Sequence, residues 1–504
     1  MTNLYQHFRA GWSDPARPLM HTDDGRTVTY GDLDGFTAAF GAALTAAGVK
    51  KGDRVAVQVE KTPEAVLLYL ACQRVGAVYL PLNTAYTLSE LEYFLSDAEP
   101  VAMVCRPKDE GDIADLCRRL GVPNVFTLGT GEGSLLDAVG NADAGAFADE
   151  KVAEDDLAAI LYTSGTTGRS KGAMLTRRGL QSNAEALADA WRFTPDDVLL
   201  HALPIFHIHG LFVAINTVLA SGASMIFQAR FDPTAVIGAL PRATAMMGVP
   251  TFYVRLLAED GFTRDVAGHM RLFVSGSAPL LEETFRAFEA RTGHRILERY
   301  GMTETGMNTS NPYDGDRRPG TVGFPLPGVS VRVAAEDGTV LGRDEVGVLE
   351  VKGPNVFAGY WRMPEKTAEE FRPDGWFITG DVGKIDADGY VHIVGRSKDM
   401  IISGGYNVYP KEIETVIDDM DGIGESAVIG VPHSDFGEGV VAVVVPESGG
   451  QAPAEADIIA AARKHLAGYK APKKVFFVDA LPRNTMGKVQ KAELRKRFAG
   501  AFDR

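Results

Sequence analysis

The run Tyr162-Thr-Ser-Gly-Thr-Thr-Gly-Arg-Ser-Lys-Gly172 directly follows the apolar stretch Leu157–Leu161. Apolar residues giving way to glycines, hydroxyls and a lysine read as a strand that enters an anion-binding loop. Glycine lets the backbone approach the anion, and successive N–H groups and hydroxyls then cradle phosphate oxygens. Gly165, Gly168 and Lys171 fall three apart and Gly172 follows the lysine. A Walker A loop instead has four residues between its first glycine and Gly-Lys-Ser/Thr. The loop therefore points to a triphosphate, and away from a kinase or GTPase of the usual kind.

Outward from this loop, helical and strand patterns alternate over most of the chain. The helix Pro63–Val75 and the apolar strand runs Val55–Val59, Val101–Cys105 and Ala427–Val431 are examples. Such alternation means an α/β protein whose sheets are covered by helices. The segment Thr321–Val351 differs: prolines, Gly328 and short alternating runs predict a small β-rich subdomain. Near Lys398 a polar stretch gives way to apolar residues and then to Gly404-Gly405, which predicts a boundary followed by a compact unit of roughly a hundred residues. The expected division is 1–395, a hinge at 396–399, and 400–504.

At 504 residues the chain exceeds one core. Hydrophobic content of 45% and charged content of 23% are those of an ordinary globular protein. Cys72, Cys105 and Cys117 form neither a disulfide framework nor a zinc-ligand spacing. Met1–Asp14 lacks the parts of a signal peptide, and His209–Phe227 reads as a buried helix then a strand rather than a membrane span. A cytoplasmic location without stable membrane insertion is expected. The net charge of −15 disfavours nucleic acid as a partner. Within that acidic whole, Lys470–Arg497 carries nine Lys/Arg against two acids, suggesting a local site for a polyanion.

Four further clusters carry chemistry. Ser275-Gly-Ser-Ala-Pro279 lies between a strand run and a helical pattern; it could admit a flat ring, and an ordinary turn is an equal alternative. Tyr300-Gly-Met-Thr-Glu-Thr305 offers a carboxylate that suits Mg²⁺, which takes one or two carboxylates beside phosphate oxygens and water. Thr379-Gly-Asp381 supplies a carboxylate of the kind that grips ribose hydroxyls, with Arg396 as a second contact. Pro482-Arg-Asn-Thr-Met-Gly-Lys488 places a lysine on a proline-limited loop within the basic stretch.

In this order the set resembles the adenylate-forming superfamily of acyl-CoA synthetases, peptide-synthetase adenylation domains and luciferases. The resemblance spans about Thr27 to Lys491. It implies an α/β fold with a large N-terminal domain of packed β-sheets and helices plus a β-rich subdomain, and a small mobile C-terminal α+β domain. It implies that Thr163, Ser164, Gly165, Thr166, Thr167, Gly168 and Lys171 take the β- and γ-phosphates of ATP. Ser277, Ala278, Pro279 and Tyr300 would bracket adenine, Thr303 would meet the α-phosphate, and Glu304 with Thr166 would hold Mg²⁺. Asp381 and Arg396 would bind ribose. Lys488 would bridge the acyl carboxylate and α-phosphate, and His207 would gate the acyl pocket. Ser403, Gly404, Gly405 and Lys470 would line the CoA path, and Lys398 matches the hinge, where other members often carry aspartate. Acetylation of Lys488 would remove its charge, so a lysine acetyltransferase and deacetylase are expected partners.

Arg230 ends the apolar run Ser224–Ala229 near the expected acyl pocket. An arginine fork there suits a second carboxylate, and a surface arginine pairing Asp232 is the other reading. The runs Tyr79–Tyr86, Pro204–Leu211, Glu298–Thr305 and Met307–Gly315 resemble malonyl-CoA synthetases in particular. That resemblance implies malonate, with methylmalonate as an alternative, ATP and CoA as substrates. It associates Arg230, assisted by Arg299, with the distal carboxylate. Nothing marks an oxygen site of the luciferase kind, and Glu304 with Lys488 speaks against a regulator without catalysis. An enzyme loading a carrier protein is the closer rival; no carrier domain follows Arg504, and the basic stretch suits the 3′-phosphate of CoA.

Overall fold

Leu157–Thr163 and Lys171–Thr176 pair antiparallel, with Thr163 opposite Lys171. They close one edge of a six-stranded sheet whose other strands are Val78–Pro81, Arg54–Gln58, Ala102–Cys105 and Asn124–Thr127, all parallel. The computed structural model describes residues 2–163, 170–403, 406–433, 436–447, 452–484 and 487–502. Ser164, Gly165, Thr166, Thr167 and Gly168, like Gly404 and Gly405, lie outside the described residues.

A nine-stranded sheet packs against the first. Its parallel centre comprises Leu297–Met302, Leu272–Ser275, Ala245–Gly248, Val198–His201, Ser224–Phe227 and Pro18–Thr22. The helix Pro63–Val75 is buried along its whole length in the core between the sheets. Its sequence explains its ends: the Thr62 side chain accepts from the Ala65 N–H, Pro63 opens the first turn, and Gly76 stops the helix at φ +75°. An apolar surface on every side needs cover on every side. The one cation in it, Arg74, is paired with Asp149 at 2.7 Å.

The β-rich subdomain is larger than its sequence suggested. Ser330–Ala334 and Gly347–Lys352 are joined by Phe377–Ile385 and Val391–Arg396 in one antiparallel sheet. The last two strands carry Thr379 and Arg396, which line a cavity, and the buried Asp381, polar residues that break the apolar alternation by which a strand is read. Sheet membership changes over a single short turn, Ser397–Asp399. Beyond it a five-stranded sheet centres on the pair Ile423–His433 and Gly437–Pro446, covered by the helices Pro410–Asp418, Glu455–His465 and Lys491–Arg497. The strand expected at Ala427–Val431 is thus the middle of a longer one.

Among the described residues no helix is long and apolar enough to cross a membrane. His209–Phe227 forms a π-helical stretch His209–Ile215, an α-helix Asn216–Ser221 and the strand Ser224–Phe227, inside the core. All three cysteines are buried and free.

Candidate active site

A cavity of about 540 Å³ opens where the parallel strands end and where the terminal unit meets the rest of the chain. Carboxyl ends of parallel strands are where open α/β sheets bind ligands. Thr163, Lys171, His207, Ser277, Arg299, Thr303, Glu304, Arg396, Lys398 and Lys488 all line it, although they come from opposite ends of the sequence.

Behind one wall lies Asp381, which like Tyr300 is not itself among the lining residues. Tyr300 donates its hydroxyl to Asp381 Oδ2 at 2.6 Å, and Arg396 Nε lies 2.8 Å from Oδ1. Asp381 and Arg396 face each other across the strand pair, so the ion pair follows from the register. The Asp381 N–H donates to Thr379 Oγ1, whose own hydrogen goes to the Leu349 carbonyl. Asp381 first, against the cost of burial, raises the Arg396 pKa above its ordinary value, so this cation is permanent. Opposite stands Ser277, a non-glycine residue at φ +70°. Such a conformation costs about 1 kcal/mol or more and persists where the surroundings demand it. Ser277 Oγ lies 3.2 Å from His209 Nδ1. Ala278 and Pro279 follow on the rim and do not line the cavity.

Around Lys171 the structure adds residues that the sequence reading missed. The Tyr360 hydroxyl lies 3.0 Å from both Glu304 Oε1 and Glu370 Oε2, with one hydrogen for the two carboxylates, and Glu370 Oε1 pairs with Lys171 Nζ at 3.0 Å. Glu304 is buried, and burial raises its pKa above the ordinary carboxylate value. Among the described residues no group of three or more His, Cys, Asp or Glu could hold a metal by itself. One carboxylate on a phosphate-sized cavity nevertheless fits Mg²⁺, which completes its shell with phosphate oxygens and water.

The opposite end is cationic and buried. Arg299 is 4% exposed, and its Nε and Nη2 have no hydrogen-bond partner among the described residues. It reaches this place because Gly276 has no side chain: a Cβ there would lie 2.2 Å from the Arg299 guanidinium carbon. Burial brings the Arg299 pKa down to about 9. Burial, then Arg299, brings His207 down to about 4 and holds His209 far below the usual imidazole value. Both rings are neutral at pH 7. His209 begins the π-helical stretch, a rare geometry often found at functional sites. The second histidine of His207-Ile-His209 was visible in the sequence, but nothing there marked it as a neighbour of Ser277.

Arg230 is not part of this arrangement. It is exposed, three residues beyond the end of its strand at Phe227, and does not line the cavity. Nor does Asp232 wait for it: the Asp232 side chain caps the helix Pro233–Ala239 by accepting from the Ala235 N–H. The strand simply ends before Arg230, whereas Arg299 lies within its strand.

From the terminal unit, Asn484 and Lys488 enter the cavity. Lys488 is exposed to cavity solvent, yet protein surrounds it closely enough that burial, then Arg396, lowers its pKa from the ordinary lysine value. Lys398 is brought to about 8 by the same two causes. Ser403 is buried in its strand and Lys470 is paired with Glu412. Neither lines the cavity in this orientation.

Two family models match: "AMP-binding enzyme" over residues 9–361 and "AMP-binding enzyme C-terminal domain" over residues 412–488. The ATP-bound structure of MatB from Rhodopseudomonas palustris is 57% identical and covers 100% of each chain, with a TM-score of 0.97. A feruloyl-CoA synthase from Amycolatopsis is 38% identical over 97% of each chain. A malonate–CoA ligase from Arabidopsis thaliana is 34% identical over 89% of this chain and 78% of its own.

Proposed function

The chain belongs to the AMP-binding enzymes as an AMP-forming acid–CoA ligase, and from that premise we propose that its acid is malonate. One observation carries the choice. Arg299 is a buried guanidinium on the cavity wall with two donors unanswered among the described residues. A buried cation without an acceptor is costly, and a carboxylate presented by the substrate would answer it with a bidentate pair. An aryl or fatty acid would leave it unanswered. The resemblance to malonyl-CoA synthetases and the named malonate–CoA ligase relative support the same reading. Arg230, exposed and off the cavity lining, is less suited to that carboxylate than Arg299.

In the first half-reaction one malonate carboxylate oxygen attacks the α-phosphorus of ATP. The new O–P bond forms as the bond to diphosphate breaks. Lys488 stands beside Arg396 at the mouth of the site and offsets charge on the attacking carboxylate and the α-phosphate, electrostatic work that needs no covalent step. Lys171 and the loop 163–171 hold the β- and γ-phosphates, Tyr300 and Ser277 flank adenine, and Asp381 with Arg396 takes the ribose. Glu304, with Thr166, would hold Mg²⁺, which would supply further offsetting charge on the phosphate oxygens. His207, neutral, closes the acyl end without adding a second charge.

In the second half-reaction the CoA thiol loses its proton to solvent and its sulfur attacks the acyl carbonyl; the C–S bond forms as the bond from the acyl carbon to the phosphate oxygen breaks, and AMP leaves. Lys488 has no task there. A reorientation about Lys398 would withdraw it and bring Ser403, Gly404, Gly405 and Lys470 toward the thiol path. Incubating the protein with ATP, Mg²⁺, CoA and a panel of mono- and dicarboxylic acids tests the reading. AMP and thioester should form fastest with malonate. Equal or faster turnover of propionate or ferulate would refute it, as would transfer to a carrier-protein thiol in preference to CoA.

A further inference from the structure

We propose that Glu370 is a competing counter-ion for Lys171. On this view it sets how tightly the phosphate end of the cavity holds a polyanion, and so how readily diphosphate leaves. The proposal rests on the reading of Lys171 as a phosphate-holding residue.

The pair is built rather than incidental. Lys171 and Glu370 are 199 positions apart, and their side chains are only 18% and 22% exposed. Each oxygen of Glu370 is occupied: Oε1 by Lys171 Nζ at 3.0 Å with Lys366 Nζ at 3.3 Å beside it, Oε2 by the Tyr360 hydroxyl at 3.0 Å. The same lysine nitrogen lies 3.9 Å from the centroid of the Tyr360 ring, so Tyr360 holds both partners. Tyr360 is itself fixed to the strand of Lys171. Its backbone bridges to Ala173, the Trp361 N–H donates to the Gly172 carbonyl at 2.8 Å, and the Met174 N–H donates to the Gly359 carbonyl. The Tyr360 N–H donates to Thr367 Oγ1, in the helix Pro364–Glu369 that leads into Glu370. Strand, ring and helix end therefore hold the carboxylate against the ammonium.

A polyanion that reaches Lys171 must share that ammonium with Glu370 or displace it, and Glu369 lines the same wall, with Lys366 beside it. Like charges brought together oppose binding. ATP offsets this through contacts along its nucleoside. Diphosphate, once cut free, has none of those contacts and meets the repulsion undiluted. The arrangement thus weakens the product more than the substrate, which suits a site that must empty its phosphate end before a second reaction begins.

The test uses the full-length protein and measures binding of inorganic diphosphate and of ATP, each with Mg²⁺, by calorimetry, alongside kcat and KM for ATP. Glu370→Gln keeps the shape and the Tyr360 contact but removes the charge. It should tighten diphosphate by at least about fivefold, tighten ATP less, and lower the KM for ATP without raising kcat. Glu370→Ala should shift diphosphate in the same direction, so the test survives if either variant folds poorly. In a Lys171→Met background, Glu370→Gln should tighten diphosphate clearly less than in the wild type, since the competition for that ammonium would be gone. Weakened or unchanged diphosphate binding in both Glu370 variants, or the same tightening without Lys171, overturns the proposal. If Lys171→Met leaves diphosphate binding intact, the reading of the phosphate loop falls with it. If Lys171→Met loses binding while the Glu370 variants do not tighten it, only this proposal falls.

Discussion

Replacing Arg299 with methionine removes a guanidinium that is 4% exposed while keeping most of the length that packs against the Gly276 backbone. Its Nε and Nη2 have no partner among the described residues, so a malonate carboxylate would form its bonds there without displacing one of their acceptors. A hydrogen bond to a charged group contributes about 1.5–3 kcal/mol, and a bidentate pair in a buried pocket should amount to about 2–4 kcal/mol. That range converts to about 30-fold up to several-hundred-fold in kcat/KM for malonate. Propionate has no distal carboxylate and should lose little, or gain, because the variant no longer buries an uncompensated cation. The same argument expects Arg299→Met to unfold at higher denaturant than the wild type in the absence of ligand. The assay is steady-state AMP release with malonate and with propionate, paired with urea denaturation of the ligand-free protein. Equal losses for both acids, with lowered stability, would show that Arg299 is a structural residue and that malonate is chosen elsewhere. Arg230→Ala is the control: an exposed residue off the cavity should change malonate kcat/KM by less than about threefold.

Lys488→Ala should slow adenylate formation by at least about a hundredfold, the scale of removing one preorganised donor, while thioester formation from synthetic malonyl-adenylate and CoA stays within a few-fold of wild type; parallel losses in the two single-turnover assays would sink the assignment to one half-reaction. Glu304→Gln should abolish diphosphate release in the presence of Mg²⁺ and leave metal-free ATP binding nearly intact, which calorimetry with and without the metal checks. His207 carries a pH signature. Its folded pKa of about 4 lies below the unfolded value of about 6.5, so the unfolded chain takes up the proton first. Its contribution to stability is whole above about pH 6.5 and is lost as pH falls toward 4, up to about 3 kcal/mol. His207→Phe should flatten the fall in unfolding free energy over that window in urea titrations at pH 7, 6 and 5, and an unchanged slope would contradict the burial argument.

Much of this protein was legible because its signals are local. The strand into the phosphate loop, the helix Pro63–Val75 with its Thr62 cap and Gly76 stop, and the change of character at Ser397–Asp399 are each written within a dozen residues, where hydrophobic period, capping chemistry and glycine spacing act directly on the backbone. The clusters around Tyr300, Glu304, Asp381, Arg396 and Lys488 could be found one by one for the same reason. What they face could not. The strands Phe377–Ile385 and Val391–Arg396 were hidden because residues turned toward the cavity interrupt their alternation. Tyr360 and Glu370 carry no motif, and their hold on Lys171 exists only because residues 359–361 bridge to the strand beginning at Lys171. The choice between Arg230 and Arg299 turned on a strand that ends at Phe227 and a glycine, Gly276, that clears room for a guanidinium from another strand. Periodicity and caps depend on neighbours a few bonds away, so a linear text can specify them. Which charges share a cavity depends on how segments hundreds of residues apart are stacked, and only the packed chain decides that.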